Sequence, residues 1–193
     1  MVAAAVLSDI NAVWSITAGV RVTRMWPVLG LLPAFASISC GAQEIRRSQL
    51  ASVSQMVGQT RIEIIYRRPV ARGRELFGAL VPYGRVWSPS ADTAAIFSAT
   101  TALDINGSRL PAGRYSMWML PARDAWTVIF SSAQPVFHLR YSADHDVLRL
   151  RVTPHTGDHM ETLAFIFPMV DADSAELDLH WGKTVVPVKI HAR

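Results

Sequence analysis

The chain contains one cysteine, Cys40, which excludes an internal disulfide and any cysteine-rich metal site. It contains no run of basic residues. The formal charge of +4 comes mostly from arginines dispersed along the chain, so a nucleic-acid footprint, which needs a patch or stripe, is excluded. There is no G-x-S-x-G elbow, and no serine or threonine is tied by spacing to a histidine and an acid. Internal repeats, low-complexity linkers and long amphipathic helical patterns are all missing. The 193 residues suffice for one well-buried domain and fall short of two ordinary ones.

What the N-terminal part does have is an export pattern. Arg21 and Arg24 precede the uncharged apolar run Met25–Ser39, which is interrupted by Pro27 and Pro33 and is too short for a transmembrane helix. Two processing readings stand. Ser37-Ile38-Ser39-Cys40 resembles a lipoprotein box that would acylate Cys40, although Ser37 occupies a place where an aliphatic residue is usual. Alternatively, a signal peptidase cuts after Ala42, between small residues. The lipoprotein reading accounts for the only cysteine. Residues 1–19, with Asp9 and Asn11, are more than a signal needs ahead of its basic residues, as if translation started near Val20 or Met25. Residues 1–42 are therefore expected to be an N-terminal extension and signal peptide, and residues 43–193 the folded domain of an exported, periplasmic or envelope-anchored protein. Membrane contact is expected only through a lipid on Cys40.

Beyond Ser48 the apolar pattern has period two. Thr60–Ile64, Asp146–Val152, Glu176–Trp181 and Val186–Ile190 alternate apolar with polar, as an antiparallel sheet with one wet face requires. Turn signals separate these runs: Gly58-Gln59, Asn106-Gly107, Arg123-Asp124 and, for the last hairpin, Gly182-Lys183. Many short strands at this spacing predict an all-β fold, an antiparallel, jelly-roll-like β-sandwich. Two irregular stretches, Arg67–Asp92 and Ala133–Asp144, are long enough to suggest function. The run Arg72–Asp92 concentrates glycine, proline, arginine and aromatic residues, the composition of a recognition loop.

Tyr66-Arg67-Arg68-Pro69, Gly73-Arg74, Phe77-Gly78, Leu80-Val81-Pro82-Tyr83-Gly84 and Val86-Trp87 carry a family resemblance. They are followed in order by Leu110-Pro111-Ala112-Gly113, Tyr115-Ser116, Trp126–Phe130 and Trp181-Gly182-Lys183-Thr184. Together they resemble the secreted bacterial family known as domain of unknown function 2911, over nearly all of residues 48–192. The resemblance implies an exported, often lipid-anchored β-sandwich and brings neither catalytic residues nor a cofactor. This chain departs from the pattern after Trp87. There Ser88-Pro89-Ser90-Ala91-Asp92 stands where the family usually has Arg and then Gly-Ala-Asn. It departs again at Phe137–Tyr141, where a Trp-Gly pair is usual.

Arg68, Arg74, Arg85 and Asp92 are candidates for a polar cluster at one end of the sandwich, where guanidinium forks suit carboxylate, phosphate or sulfated ligands. The competing reading has the arginines pair with Asp92 or Glu75 and cap loop carbonyls. Tyr83, Trp87 and Trp118 would form an aromatic platform, or else plug the open end of the sandwich as core. On Arg114–Leu120, alternation sends Tyr115, Met117 and Met119 to the core and leaves Trp118 with Arg114 and Ser116 on the other face, where they would line a groove. His155 and His159 are four apart, but Pro154 and Gly157 predict a loop, so the helical pairing that binds zinc is missing and no metal site or cofactor is expected. A non-catalytic binding module for a small anionic or carbohydrate ligand follows. The alternatives are a hydrolase of envelope polymers using Asp92 with a histidine such as His138, and a structural module docked on a partner protein.

Overall fold

A computed structural model describes residues 46–193 of the chain, and the expected export signal, Cys40 and the boundary at residue 43 lie outside the described residues. Ten strands follow one another: β1 (Gln49–Val57), β2 (Thr60–Arg68), β3 (Ala95–Ala99), β4 (Leu103–Ile105), β5 (Ser108–Leu110), β6 (Gly113–Leu120), β7 (Trp126–Ser131), β8 (Asp146–Val152), β9 (His155–Val170) and β10 (Ser174–Ala192). A 3₁₀ turn, Ala143–His145, precedes β8. All pairings are antiparallel, in a six-stranded sheet ordered β1-β2-β3-β6-β7-β8 and a four-stranded sheet ordered β5-β4-β10-β9. The all-β sandwich expected from the alternation is what forms. Among the described residues, no helix is long and apolar enough to cross a membrane.

The period-two residues face each other between the sheets. Ile62, Ile64, Phe97, Met117, Met119, Val128 and Phe130 of the large sheet meet Leu177, Leu179, Val186, Val188 and Ile190 of the small one, all essentially sealed from solvent. Tyr115, Met117 and Met119 are core, as alternation on β6 requires. Asn106 and Gly107 have φ of 48° and 80° and close the β4–β5 hairpin with left-handed backbone at both central positions.

The turn expected at Gly182-Lys183 is present within β10: Ala192 N–H donates to Asp173 O at 2.8 Å, so the two ends of this long element lie side by side and the chain reverses about Gly182, whose φ is 59°. Two expectations need correction. His155–His159 is not a loop but the start of β9, so the two histidines lie on an extended, exposed edge strand. Trp118 lines no groove. It is 2% exposed, donates its indole N–H to Ser116 Oγ at 2.9 Å, and packs with Ala94 and Ile129 in a second, small core on the outer face of the large sheet. The irregular segment carrying Val136 and Tyr141 covers it. Period two assigns a face, and it cannot foresee a loop folding over that face.

Candidate functional site

Both irregular stretches converge on one end of the sandwich. After β2 the chain leaves the large sheet and runs along β9: Leu163 N–H donates to Pro69 O at 3.0 Å and Ala71 N–H to Glu161 O at 2.8 Å. It then turns sharply at Arg72 and Gly73, whose φ values are 54° and 68°. Left-handed backbone is costly for arginine, and Glu161 holds it by accepting the Arg72 N–H at 2.5 Å. That bond and one from His159 hold the Glu161 carboxyl below the usual glutamate range, with the His159 contribution the larger. The chain returns to the large sheet where Trp87 and Met119 exchange two backbone bonds of 2.8 and 2.7 Å. Ser88 and Ser90 are buried and use their hydroxyls on backbone: Ser88 Oγ accepts from Ala95 N–H, and Ser90 Oγ from Arg67 N–H.

Trp87 is thereby anchored to one sheet and faces Trp181 of β10 in the other. The rings are nearly parallel, 11° between planes with centroids 5.9 Å apart. Phe77 meets Trp87, Trp126 and Trp181 edge-on at 6.0, 4.7 and 6.1 Å. This aromatic cluster closes the end of the sandwich, and Trp87 and Trp181 both line the cleft beside it.

The cleft has a volume of about 410 Å³. Arg47, Arg72 and Arg74 supply its charge, Leu80, Val81 and Leu139 its apolar wall, and Ser90, Ala91 and His138 another side. Among the described residues no aspartate or glutamate lines it. His138 and Leu139 come from the second irregular stretch, which is tied to the first by Ala94 N–H to Val136 O at 2.9 Å and His138 N–H to Asp92 O at 3.1 Å. Burial lowers the pKa of His138, with the Asp92 carboxylate opposing that shift.

Of the residues singled out from sequence, Arg74 and Trp87 line this cleft. Arg74 is partly committed: its Nε donates to Ala71 O at 2.8 Å and Nη2 to Val70 O at 2.6 Å, as the carbonyl-capping reading has it. Arg68 Nε likewise caps Leu163 O at 2.9 Å. Asp92, at φ 63°, pairs with Arg46 and, at 3.6 Å, with Arg67, so the cluster of Arg68, Arg74, Arg85 and Asp92 does not assemble. Tyr83 stands outside the cleft, against Gly78 and under the Arg123 guanidinium 5.5 Å from its ring. Arg85 is exposed and outside the lining, and Arg114 lies at the far end of β6, paired with Ser98 in the sheet. The platform of Tyr83, Trp87 and Trp118 is replaced by Trp87 with Trp181. Trp181 reads from sequence as core, since it continues the apolar face of Glu176–Trp181. Arg47 carries no sequence signal at all. Among the described residues no group of three His, Cys, Asp or Glu side chains is arranged to hold a metal ion.

Residues 48–190 match the family model described as protein of unknown function (DUF2911), and the chain belongs to that family. No curated protein and no solved structure matches the chain.

Proposed function

We propose that this member of the family is an exported, non-catalytic binding module that holds a small anionic or carbohydrate ligand in the cleft at the Trp87–Trp181 end of the sandwich. The observation that carries this reading is the cleft itself: both long irregular stretches meet there, and it is lined by three arginines and a tryptophan pair with no acid among the described residues. Its volume of about 410 Å³ lies within the usual range for small-molecule sites, roughly 300–1,000 Å³. Arginine forks and aromatic faces are the side chains through which such sites recognise ligands. A hydrolase of envelope polymers is favoured less, because it needs two proton-exchanging groups on one cleft. His138 lines the cleft, whereas the Asp92 carboxylate is turned to Arg46 and Arg67.

The test is thermal unfolding against glycans, organic anions, phosphates and divalent metals, with Trp87→Ala and Arg72→Ala alongside. A ligand at a hundred times its Kd adds about 2.7 kcal/mol, which for a domain of this size raises Tm by roughly 5–10 °C. A rise in the wild type that both folded variants lose supports the reading. A rise that both variants keep moves the site elsewhere. No rise with any class removes the proposal.

A further inference from the structure

Resting on that reading, we infer that the ligand is an amphipathic anion, an oxyanion carried on an apolar body, which the chemistry of the cleft wall favours over carbohydrate. The first observation is the charge. The ion pairs among the described residues engage Arg46, Arg67, Arg149, Arg193 and His159, and none engages Arg47, Arg72 or Arg74. Three guanidinium groups therefore face one cleft without a carboxylate partner among the described residues. Arg74 has spent Nε and one Nη2 proton on backbone carbonyls and keeps three N–H donors, so Arg47 and Arg72 are the less committed forks. Arg72 is held in its left-handed conformation by Glu161 through the backbone, so its side chain projects from a fixed point.

The second observation is the shortage of acceptors. Sugar hydroxyls donate as well as accept, and sites that bind them answer with carboxylates or carboxamides. Among the described residues this cleft has no Asp, Glu, Asn or Gln in its lining, and Ser48 and His138 are the side-chain acceptors that remain. Ser90 Oγ already accepts from Arg67 N–H and sits close to Ala91 O, and the Trp181 indole N–H is directed at Glu161 O at 3.3 Å. Two such acceptors do not match the several hydroxyls of a buried sugar, and protons left without partners discriminate strongly between ligands. An oxyanion is acceptor-only and meets the donors present.

The third observation is the apolar wall. Leu139 is 73% exposed and Leu80 42%, both at the cleft, with Val81, Trp87 and Trp181 continuing the surface inward. Inorganic phosphate or a small polyacid would leave that wall wet, whereas an alkyl or aryl body would cover it. The chemistry is shared by a free amphiphile and by an anionic lipid headgroup with its proximal chain.

Isothermal titration of the purified full-length chain distinguishes these. The probes are decyl phosphate below its micellar concentration, decanol, inorganic phosphate, glucose 6-phosphate and maltotriose, with phosphatidylglycerol vesicles in a sedimentation arm. Decyl phosphate should bind saturably and at least about tenfold more tightly than decanol or inorganic phosphate, since each lacks one half of the recognition. Arg72→Gln and Leu139→Ser alter exposed side chains and leave the core intact, and each should weaken decyl phosphate by about tenfold. Vesicle binding that Arg72→Gln abolishes identifies a lipid source, and soluble binding without vesicle binding identifies a free amphiphile. Glucose 6-phosphate or maltotriose binding in place of decyl phosphate, lost in Arg72→Gln or Trp87→Ala, overturns the inference and leaves the binding module standing. Equal affinity for decanol and decyl phosphate overturns the anionic half. No binding by any probe overturns both the inference and the reading beneath it.

Discussion

Gly182→Ala adds one methyl group at the point where β10 turns back against Leu76 of the loop that forms the cleft, and its cost follows from two separable terms. Gly182 has φ 59°, a left-handed conformation that costs an L-residue about 1–2 kcal/mol. A Cβ built there comes 2.8 Å from Leu76 Cδ1, closer than such carbons approach, and Leu76 is only 8% exposed. Leu76 belongs to a tight turn in which Val81 N–H donates to its carbonyl at 2.7 Å, so it has little freedom to retreat. Overpacking of this kind costs about 1–3 kcal/mol. The two terms sum to about 2–5 kcal/mol, a fall in Tm of roughly 5–15 °C at this chain length. Gly84→Ala is the control, because Gly84 has φ 75° but nothing within 4 Å of its Cβ position. It should cost only the backbone term, about 1–2 kcal/mol.

Urea unfolding followed by circular dichroism measures both variants. A Gly182→Ala loss no larger than that of Gly84→Ala would refute the close approach of Leu76. The double variant Leu76→Ala/Gly182→Ala sharpens the test: removing the leucine removes the clash, so it should be less destabilised than the sum of the singles, by about 1–3 kcal/mol. Strict additivity would also sink the argument. Gly182 follows Trp181, so the same contact fixes the aromatic floor of the cleft, and a folded Gly182→Ala should bind ligand more weakly even though it touches none.

Two further outcomes concern stability. Asp178 is 6% exposed with Oδ1 unpartnered, and burial, then Glu176, raises its pKa. The folded state therefore holds that proton more tightly than the unfolded chain, and stability falls as pH rises from the ordinary carboxylate range through the folded pKa. Asp178→Asn should be more stable than the wild type at neutral pH, with the difference vanishing in acid; equal urea midpoints at pH 7 would contradict this. Tyr141 donates to Asp146 Oδ2 at 2.6 Å, and burial with that bond pushes its phenol up to about 12. Tyr141→Phe should cost about 1.5–3 kcal/mol, as loss of a bond to a charged group does, and raise amide exchange over residues 133–144, which carry His138 and Leu139. Unchanged exchange there would mean the loop is held by its backbone bonds alone.

Much of the fold is legible because it rests on signals of fixed period. Alternation on β6 separates Tyr115, Met117 and Met119 from the opposite face, and Asn106-Gly107 announces its own turn. The failures have one physical origin, contact between segments distant in sequence. Trp118 is buried because residues from the second irregular stretch cover a face that alternation leaves open. Gly182 is legible as a turn, but sequence does not supply Leu76, which occupies the space of the missing side chain. At the cleft, composition points to one of the stretches that line it, with Trp87 and Arg74, yet Arg47, Leu139 and Trp181 join only through folding. Local patterns specify faces and turns; clefts are made where faces meet.

The departure from the family pattern at Ser88–Asp92 takes on a definite meaning in this light. Ser88 is wholly buried and spends its hydroxyl on Ala95 N–H, with Met117 O at the margin of bonding distance. Ser90 does the same for Arg67, and the Asp92 carboxylate is held by Arg46 and Arg67. These side chains brace the wall between the two irregular stretches, and none offers a charged group to the cleft interior. The cationic side chains that line the cleft, Arg47, Arg72 and Arg74, all come from outside this segment. The consequence is a separation of duties along the chain. Residues 87–92 hold the cleft's shape, residues 47 and 72 set its charge, and residues 80 and 139 set its apolar reach. Selectivity changes should therefore follow substitutions at Arg47, Arg72, Leu80 and Leu139, whereas substitutions at Ser88 and Ser90 should show first as lost stability.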